Sequence, residues 1–191
     1  MKIGVLALQG DFFEHIETLN KLNVEAIPVR LPQELKGLNG LIIPGGESTT
    51  LRRLGTEYGL LSAIQEFTQN GHAVFGTCAG MILLAKKATD LNNGSLGLID
   101  IEVKRNAFGR QVDSFEADLT VAVLGEAPFH AVFIRAPLIE KVGRDVEVLA
   151  RLATGTPVAA RQGKILVSSF HPELTSDLRF HAYFLNLVAA N

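Results

Sequence analysis

The chain has 191 residues, a length that favours one domain with a core large enough to fold without disulfides or metals. Its 18 basic and 20 acidic residues give a net charge of −2, which argues against an electrostatic attraction to nucleic acid. A hydrophobic content of 47% with 20% charged residues excludes a disordered chain.

The first half of the chain alternates predicted strands and helices. Strands are predicted, from short apolar runs bounded by turn residues, at residues 2–8, 24–30, 40–44 and 73–76. Helices are predicted at residues 12–23 with Asp11 as the N-cap, at about 48–70, and at 81–87. This alternation with short connections indicates a parallel sheet that carries helices on both faces.

The pattern changes after Gly97. Residues 101–105 and 114–121 alternate polar and apolar side chains, which is typical of antiparallel pairs and predicts a ribbon inserted between Gly97 and Gly125. The remaining elements are a predicted meander at residues 147–153, 157–161 and 164–169 and a final helix at 177–190.

Neither an export signal nor a membrane helix is predicted. The apolar stretch at residues 3–8 is short and has no small-residue cleavage site after it. The longest conspicuous uncharged run, residues 73–85, has 13 residues, whereas a membrane helix needs about 20. The single cysteine cannot form an internal disulfide. We therefore expect a soluble, cytoplasmic protein that binds neither membrane nor nucleic acid.

Cys78 lies in Gly76-Thr77-Cys78-Ala79-Gly80, the cysteine form of the nucleophile elbow, where a predicted strand ends and a helix begins. Glycine at both flanks allows neighbouring backbone to pass close to the sharp turn. The sulfur is then expected at the carboxyl edge of the sheet, beside a helix N-terminus that favours the reactive thiolate. The alternative is a buried, unreactive cysteine.

A cysteine nucleophile needs a general base, and the base needs an orienting group. His171 follows a strongly apolar strand, and Glu173 is placed to accept a hydrogen bond from its imidazole. The alternatives are a solvated loop histidine, or a metal site formed with His181, for which no standard ligand spacing is met. The other histidines are less suitable: His15 and His181 lie in helical patterns, His72 precedes a strand, and His130 begins one with no acid nearby.

Pro44-Gly45-Gly46-Glu47-Ser48 follows the third predicted strand. A glycine pair there can direct backbone N–H groups at a developing oxyanion, with the amide of Ala79 as the complementary donor. A phosphate-binding loop is the rival interpretation, but the chain has no G-x-G-x-x-G and no Walker lysine.

The glycine loop, the elbow and His171-Pro172-Glu173 together resemble a class I, triad-type glutamine amidotransferase. Further segments are similar to the family of glutaminase subunits of ribose-5-phosphate-dependent pyridoxal 5′-phosphate synthases. These segments are Leu8-Gln9-Gly10-Asp11, Ser48-Thr49-Thr50-Leu51-Arg52, Arg105-Asn106-Ala107-Phe108-Gly109-Arg110-Gln111, Phe133-Ile134-Arg135-Ala136-Pro137 and His171-Pro172-Glu173-Leu174.

The resemblance implies one glutaminase domain over residues 1–191, with an α/β fold: a flavodoxin-like three-layer sandwich with a mostly parallel central sheet and an inserted antiparallel ribbon. It implies that Cys78 attacks the side-chain amide of L-glutamine, that His171 passes the proton to the leaving ammonia, and that Glu173 orients His171. The oxyanion hole is then formed by Gly46 and Ala79. The residues implied around bound glutamine are Gly46, Glu47, Ser48, Arg105, Ile134 and Arg135.

The resemblance also implies that the ammonia passes to a (β/α)8-barrel synthase subunit, which combines it with ribose 5-phosphate and glyceraldehyde 3-phosphate. It implies no metal and no cofactor in this chain. For Arg105, Arg110 and Arg135, a solvated surface position is the alternative. Two other classes stay open: a glutaminase with a different acceptor, such as imidazole glycerol phosphate synthesis, and a cysteine peptidase or binding module on the same fold.

Overall fold

The computed structural model describes residues 1–89, 94–105 and 114–190. The strands, in chain order, are β1 (Lys2–Leu6), β2 (Glu25–Val29), β3 (Gly40–Ile43), β4 (Ala73–Thr77), β5 (Ala85–Ala88), β6 (Ile99–Lys104), β7 (Ser114–Leu119), β8 (Phe129–Ile134), β9 (Leu138–Val142), β10 (Glu147–Arg151), β11 (Pro157–Gln162) and β12 (Ile165–Ser168). The α-helices are α1 (Phe12–Lys21), α2 (Ser48–Glu57), α3 (Leu60–Gln69), α4 (Ala79–Leu84) and α5 (Arg179–Ala189), and short 3-10 turns lie at Pro32–Leu35, Ala122–Leu124 and Pro172–Leu174.

A seven-stranded sheet in the order β10-β11-β12-β4-β3-β1-β2 forms the middle layer. From β12 to β2 every neighbouring pair is parallel, whereas β11 and β10 continue the sheet antiparallel at one edge. All residues of β3, β4 and β12 are buried. Such continuous apolar strands require cover on both faces, and this explains the predicted three-layer α/β sandwich, which the structure confirms.

Two apolar clusters fill the space on either side of this sheet. On one face, α1, α5 and the β7–β8 pair pack through Leu19, Phe180 and Phe129. On the other face, α2, α3, α4 and the small sheet formed by β5, β6 and β9 pack through residues such as Leu51 and Ile64. The cores are close-packed, so the relative positions of the strand ends are fixed.

The parallel register brings three chain segments to one edge of the sheet. Ile43 at the end of β3 pairs with Gly76 in β4, and Ser168 at the end of β12 pairs with Thr77. The segments that follow these strands therefore leave the sheet side by side. In open α/β sheets this carboxyl edge is where ligands bind.

The inserted region differs in part from its prediction. An antiparallel ribbon is present, but it joins β7 to β8, which lies beyond the predicted end of the insertion at Gly125, and β6 pairs in parallel with β5 and antiparallel with β9. The helix predicted over residues 81–87 is wrong beyond Leu84, because the Ala-Lys-Lys-Ala segment of β5 is extended. Pairing with β6 overrides the helical preference of alanine and lysine.

The helix predicted over about residues 48–70 is two helices. Gly59 separates α2 from α3 with a left-handed backbone, φ 70°. That conformation ends one helix and redirects the chain into the next, since glycine adopts it without steric cost. No helix among the described residues combines the length and apolar character needed to cross a membrane.

Gly80 provides a test of the close approach between α4 and β3. A Cβ at this position would overlap the carbonyl oxygen of Ile43, which is backbone and cannot rotate away. We expect Gly80→Ala to lower the free energy of unfolding by about 3 kcal/mol. Gly163→Ala is the control, because a Cβ there meets open space and carries only the cost of its positive φ of 56°, about 1 kcal/mol. Urea denaturation measures both, and equal midpoints would contradict the steric argument.

Candidate active site

Cys78 occupies a strained turn between β4 and α4. Its φ of 47° and ψ of −100° lie outside the regions favoured by non-glycine residues. Its N–H donates to the carbonyl of Ser168 at 2.8 Å, and its Sγ lies 4.0 Å from the carbonyl oxygen of Ile134. Strain of this kind is concentrated at functional sites, where the surrounding structure holds it in place. The geometry therefore favours the nucleophile elbow over a merely packed cysteine.

His171 and Glu173 form a buried pair beside this turn. The N–H of His171 donates to the carbonyl of Val132 at 2.9 Å, which ties the segment after β12 to β8. His171 Nδ1 donates to Glu173 Oε1 at 2.7 Å, and the Glu173 side chain is fully buried in the turn Pro172–Leu174. The predicted hydrogen bond between His171 and Glu173 is present.

Asp11 occupies the predicted N-cap position of α1, but its side chain does not act as a cap. It makes no side-chain hydrogen bond that caps α1. Instead, its Oδ2 lies 3.3 Å from His171 Nδ1, and this contact lowers the pKa of Asp11 more than partial burial raises it. His171 Nδ1 thus faces two carboxylates. The N-cap pattern in the sequence conceals this contact, because it offers a local explanation for Asp11.

The charges of the pair follow from these contacts. Burial lowers the pKa of His171, but hydrogen bonds with Asp11, Cys78 and Glu173 outweigh it and raise the pKa to about 12. The imidazole is therefore a cation at neutral pH. A cation in contact with Cys78 stabilises the thiolate, which is the nucleophilic form of cysteine.

A cavity of about 270 Å³ opens beside the sulfur. It brings together residues from separate parts of the chain, including every residue that the resemblance places around glutamine. Its lining consists of Asp11, Gly46, Glu47, Ser48, Cys78, Ile82, Arg105, Ile134, Arg135 and His171. Asp11 and Ile82 are additions that sequence reasoning missed, and Arg110 lies outside the described residues.

Glu47 caps a helix in addition to lining the cavity. It caps α2 by accepting from the N–H groups of Thr49 and Thr50 at 2.9 and 2.7 Å. Burial raises the pKa of Glu47, but these hydrogen bonds outweigh it and lower the pKa to about 2. The carboxylate is thus ionised at neutral pH and is able to face a cationic group in the cavity.

The two arginines of the cavity are held in different ways. Arg105 Nη2 lies 3.5 Å from both Glu47 Oε1 and Thr49 Oγ1. Arg135 follows β8 with a positive φ of 42° and lines the cavity, and its side chain makes no hydrogen bond or ion pair to the described parts of the chain. Both are suitable partners for a carboxylate, because a guanidinium can donate two parallel hydrogen bonds.

The glycine loop before α2 is held against the turn after β1. Gly46 has a positive φ of 141°, and the N–H of Glu47 donates to Gln9 Oε1 at 3.0 Å. A Cβ on Gly10 would overlap the carbonyl oxygen of Gly45. The two loops are therefore in direct backbone contact, so a movement of one requires a movement of the other.

Among the remaining histidines, His15 and His181 lie in helices and His72 precedes β4, as predicted, whereas the interpretation of His130 is wrong. His130 does have acids nearby: its ring nitrogens lie 2.8 Å from Asp118 Oδ1 and 2.9 Å from Glu116 Oε2 on the neighbouring strand. The strand register that creates this contact does not follow from the local sequence pattern. The trio is exposed and away from Cys78, so it does not supply the base.

The residues that could form a metal site differ from those that the sequence suggests. In the described parts of the chain, the groups that could hold a metal ion are Asp11, His171 and Glu173, whose ligand atoms lie within 4.8 Å of one another. His181 is outside this group, and its Nε2 forms a hydrogen bond with His15 Nδ1 at 2.9 Å. Both carboxylates lie close to His171 Nδ1, and the hydrogen on that nitrogen already interacts with them in place of a metal ion.

Comparison with known proteins agrees with this geometry. The model of the SNO glutamine amidotransferase family matches residues 5–190. A protein of Herpetosiphon aurantiacus named pyridoxal 5′-phosphate synthase subunit PdxT is 58% identical over 98% of this chain and 100% of its own length. Proteins of the same name from Moorella thermoacetica and Thermotoga neapolitana are 53% and 52% identical, each over 98% of this chain and 100% of their own length.

Solved structures extend the comparison to the fold. A crystal structure described as a glutamine amidotransferase superposes with a TM-score of 0.93 at 54% identity, covering 98% of this chain and 99% of the other. The structure of PurLQS from Thermotoga maritima, at 16% identity and a TM-score of 0.70 over 97% of each chain, shares the fold. The chain belongs to the SNO glutamine amidotransferase family.

Proposed function

We propose that this protein hydrolyses L-glutamine to L-glutamate and ammonia, and that it delivers the ammonia to a synthase subunit that makes pyridoxal 5′-phosphate. The observation that carries the proposal is the meeting of Cys78 and His171 at one cavity, with Glu173 hydrogen-bonded to His171, in a member of a glutamine amidotransferase family. The names of the relatives support the choice of acceptor.

In the proposed reaction, the Cys78 thiolate attacks the side-chain carbonyl carbon of glutamine. The C=O electrons move to oxygen, and the N–H groups of Gly46 and Ala79 stabilise this oxyanion. The His171 imidazolium then gives its Nε2 proton to the leaving nitrogen, the C–N bond breaks, and ammonia departs. Water attacks the resulting thioester with neutral His171 as base, which releases glutamate and restores the thiolate and the imidazolium. Glu173 orients His171 throughout.

The cavity lining offers groups of the right charge for the rest of the substrate. The guanidinium groups of Arg105 and Arg135 suit the α-carboxylate of glutamine, and the ionised Glu47 suits its α-ammonium. Gly46, Ser48 and Ile134 complete the proposed glutamine site.

The proposal includes the partner and the setting. The acceptor of ammonia is a (β/α)8-barrel synthase subunit, and residues 1–191 act as one glutaminase domain, which is supported by a sheet whose strands come from both ends of the chain. The single cysteine forms no internal disulfide, so nothing points to an oxidising compartment, and the proposed location is the cytoplasm.

A diazo-ketone analogue of glutamine should modify Cys78 alone, because its electrophilic carbon then lies where the side-chain amide of glutamine would. Intact mass should show one adduct, and peptide mapping should place it on Cys78. Excess glutamine should protect the thiol, and Cys78→Ala should stay unmodified. Glutamine hydrolysis by an enzyme whose Cys78 resists the reagent would refute the assignment.

Substitutions in the triad should separate the three roles. Cys78→Ala and His171→Ala should each lower ammonia release by at least about a thousandfold, with Glu173→Ala less severe, because the orienting member is the most dispensable. His130→Ala is a matched control: it removes another imidazole that bonds two carboxylates, but one that is exposed and away from the cavity. An inactive Glu173→Ala beside an active His171→Ala would show that the roles are wrong.

The barrel partner should control the activity. We expect the Gln9-Gly10 turn and the Gly45-Gly46 peptide, which are in contact, to hold the oxyanion site misaligned until docking reorders both. Glutamine hydrolysis should then rise by about two orders of magnitude with an equimolar synthase subunit, the effect of one oxyanion donor. Equal rates with and without the synthase subunit would refute control of the activity by the partner. Stimulation by a different synthase, such as that of imidazole glycerol phosphate synthesis, would refute the proposed acceptor of ammonia.

A further inference from the structure

Two buried histidines lie behind the triad and have no part in the reaction described above. His15 on α1 and His181 on α5 are both fully buried. His15 Nδ1 lies 2.9 Å from His181 Nε2, and His15 Nε2 lies 3.2 Å from Thr77 Oγ1 and 3.4 Å from Glu173 Oε2. The two imidazoles thus form a chain that ends at the orienting carboxylate.

The pair of imidazoles ends next to the second carboxylate oxygen of Glu173. Oε1 accepts from His171, whereas Oε2 is buried and accepts no hydrogen bond from the described residues. A carboxylate oxygen without a donor is costly to bury. The ring nitrogen of His15 at 3.4 Å is therefore the group placed to stabilise the charge on Oε2.

The tautomer of His15 follows from electrostatics. Burial holds the pKa of His15 well below its usual value and lowers that of His181 to about 3, so both rings are neutral. A neutral imidazole carries one N–H, and a lone pair on Nε2 of His15 would face the negative Oε2. The favourable arrangement has the hydrogen on Nε2, toward Thr77 Oγ1 at 3.2 Å and beside Glu173 Oε2 at 3.4 Å. His15 Nδ1 is then an acceptor, and His181 Nε2–H is its donor.

We propose that His15 is a positioning residue of the glutaminase site: its Nε2–H keeps Glu173 ionised and oriented toward His171, and His181 fixes the tautomer that makes this possible. This inference rests on the proposed function, because the rate that it affects is that of glutamine hydrolysis. The alternative is that both histidines only pack the core.

The groups facing Glu173 set the direction of a pH effect. His171 and the N–H of Glu173 itself favour the carboxylate, whereas Asp11 before α1 opposes it with a like charge. The neutral ring of His15 from α1 lies 3.4 Å from Oε2. Burial raises the pKa of Glu173, and the cationic His171 lowers it in part. Removing the His15 N–H takes away one stabilising group, so the pKa of Glu173 should rise further.

The first experiment replaces His15 by a ring without nitrogen and by an amide. His15→Phe should lower kcat for glutamine by about tenfold with little change in KM, the scale of a lost orienting contact. It should also move the acidic limb of the kcat/KM profile upward by about one pH unit. His15→Gln carries an N–H near the position of Nε2 and should restore both. All assays include the synthase subunit.

Thr18→Val is the matched control, because Thr18 is buried on the same helix and its hydroxyl donates only to the carbonyl of Glu14. It should keep the wild-type profile. Circular dichroism and thermal unfolding establish that each variant is folded. A wild-type rate and acidic limb in folded His15→Phe would overturn the inference, whereas absence of ammonia release by the wild-type complex would refute the proposed function instead.

A double-mutant cycle separates positioning from packing. If His15 acts through the carboxylate, His15→Phe should have little further effect on kcat in a Glu173→Gln background. A purely structural role for His15 predicts the same fold-loss in both backgrounds, and that result would overturn the inference.

A measurement that needs no variant of His15 and no activity completes the test. In protein labelled with ¹⁵N-histidine, long-range ¹H–¹⁵N correlation spectra report which ring nitrogen carries the hydrogen. We expect the Nε2–H tautomer at both His15 and His181, and a shift of the His15 Nε2 signal in Glu173→Gln. The Nδ1–H tautomer at His15 would overturn the inference even if His15→Phe failed to fold.

Discussion

The hydrogen bond between His171 Nδ1 and Glu173 Oε1, 2.7 Å long, joins two side chains at a point where water does not reach the carboxyl group. Burying a carboxylate is costly unless its partner is held at good geometry, so every element around the pair must be rigid. β12 delivers His171, the turn Pro172–Leu174 positions Glu173, and the bond from His171 N–H to Val132 fixes the segment against β8. The close-packed sheet beneath supplies this rigidity.

The strained turn at Cys78 depends on the same sheet. Its backbone is held by the bond from its N–H to Ser168 on the neighbouring strand, and by the absence of a Cβ at Gly80, which allows α4 to approach Ile43. Cys78 and His171, the proposed nucleophile and base, therefore follow adjacent parallel strands, β4 and β12, whose register sets their separation. The proposed catalytic geometry is a consequence of strand pairing rather than of the loops alone.

Much of the fold and of the site was predictable, because apolar runs mark buried parallel strands and the elbow and the His-Pro-Glu motif are local in sequence. What could not be predicted depends on distant contacts. The helical composition of β5 hides its pairing with β6, and the N-cap pattern of Asp11 hides its contact with His171. His15 and His181 have the pattern of ordinary helix residues. Nothing in the local sequence indicates that these two histidines, 166 positions apart, lie side by side.

The two histidine–carboxylate clusters show why burial, and not the residue types, distinguishes the site. His130 lies between Asp118 and Glu116 at 2.8 and 2.9 Å, distances comparable to those around His171, and in both clusters the carboxylates raise the pKa of the imidazole. Around His130, solvent screens the charges, so the ion pairs contribute little. Around His171 the same charges interact in a medium of low polarity, where each contact has a larger effect on the proton and on the neighbouring sulfur. A chain of neutral imidazoles behind Glu173 is suited to that setting, because it offers a hydrogen to the buried charge without adding a second charge to the core.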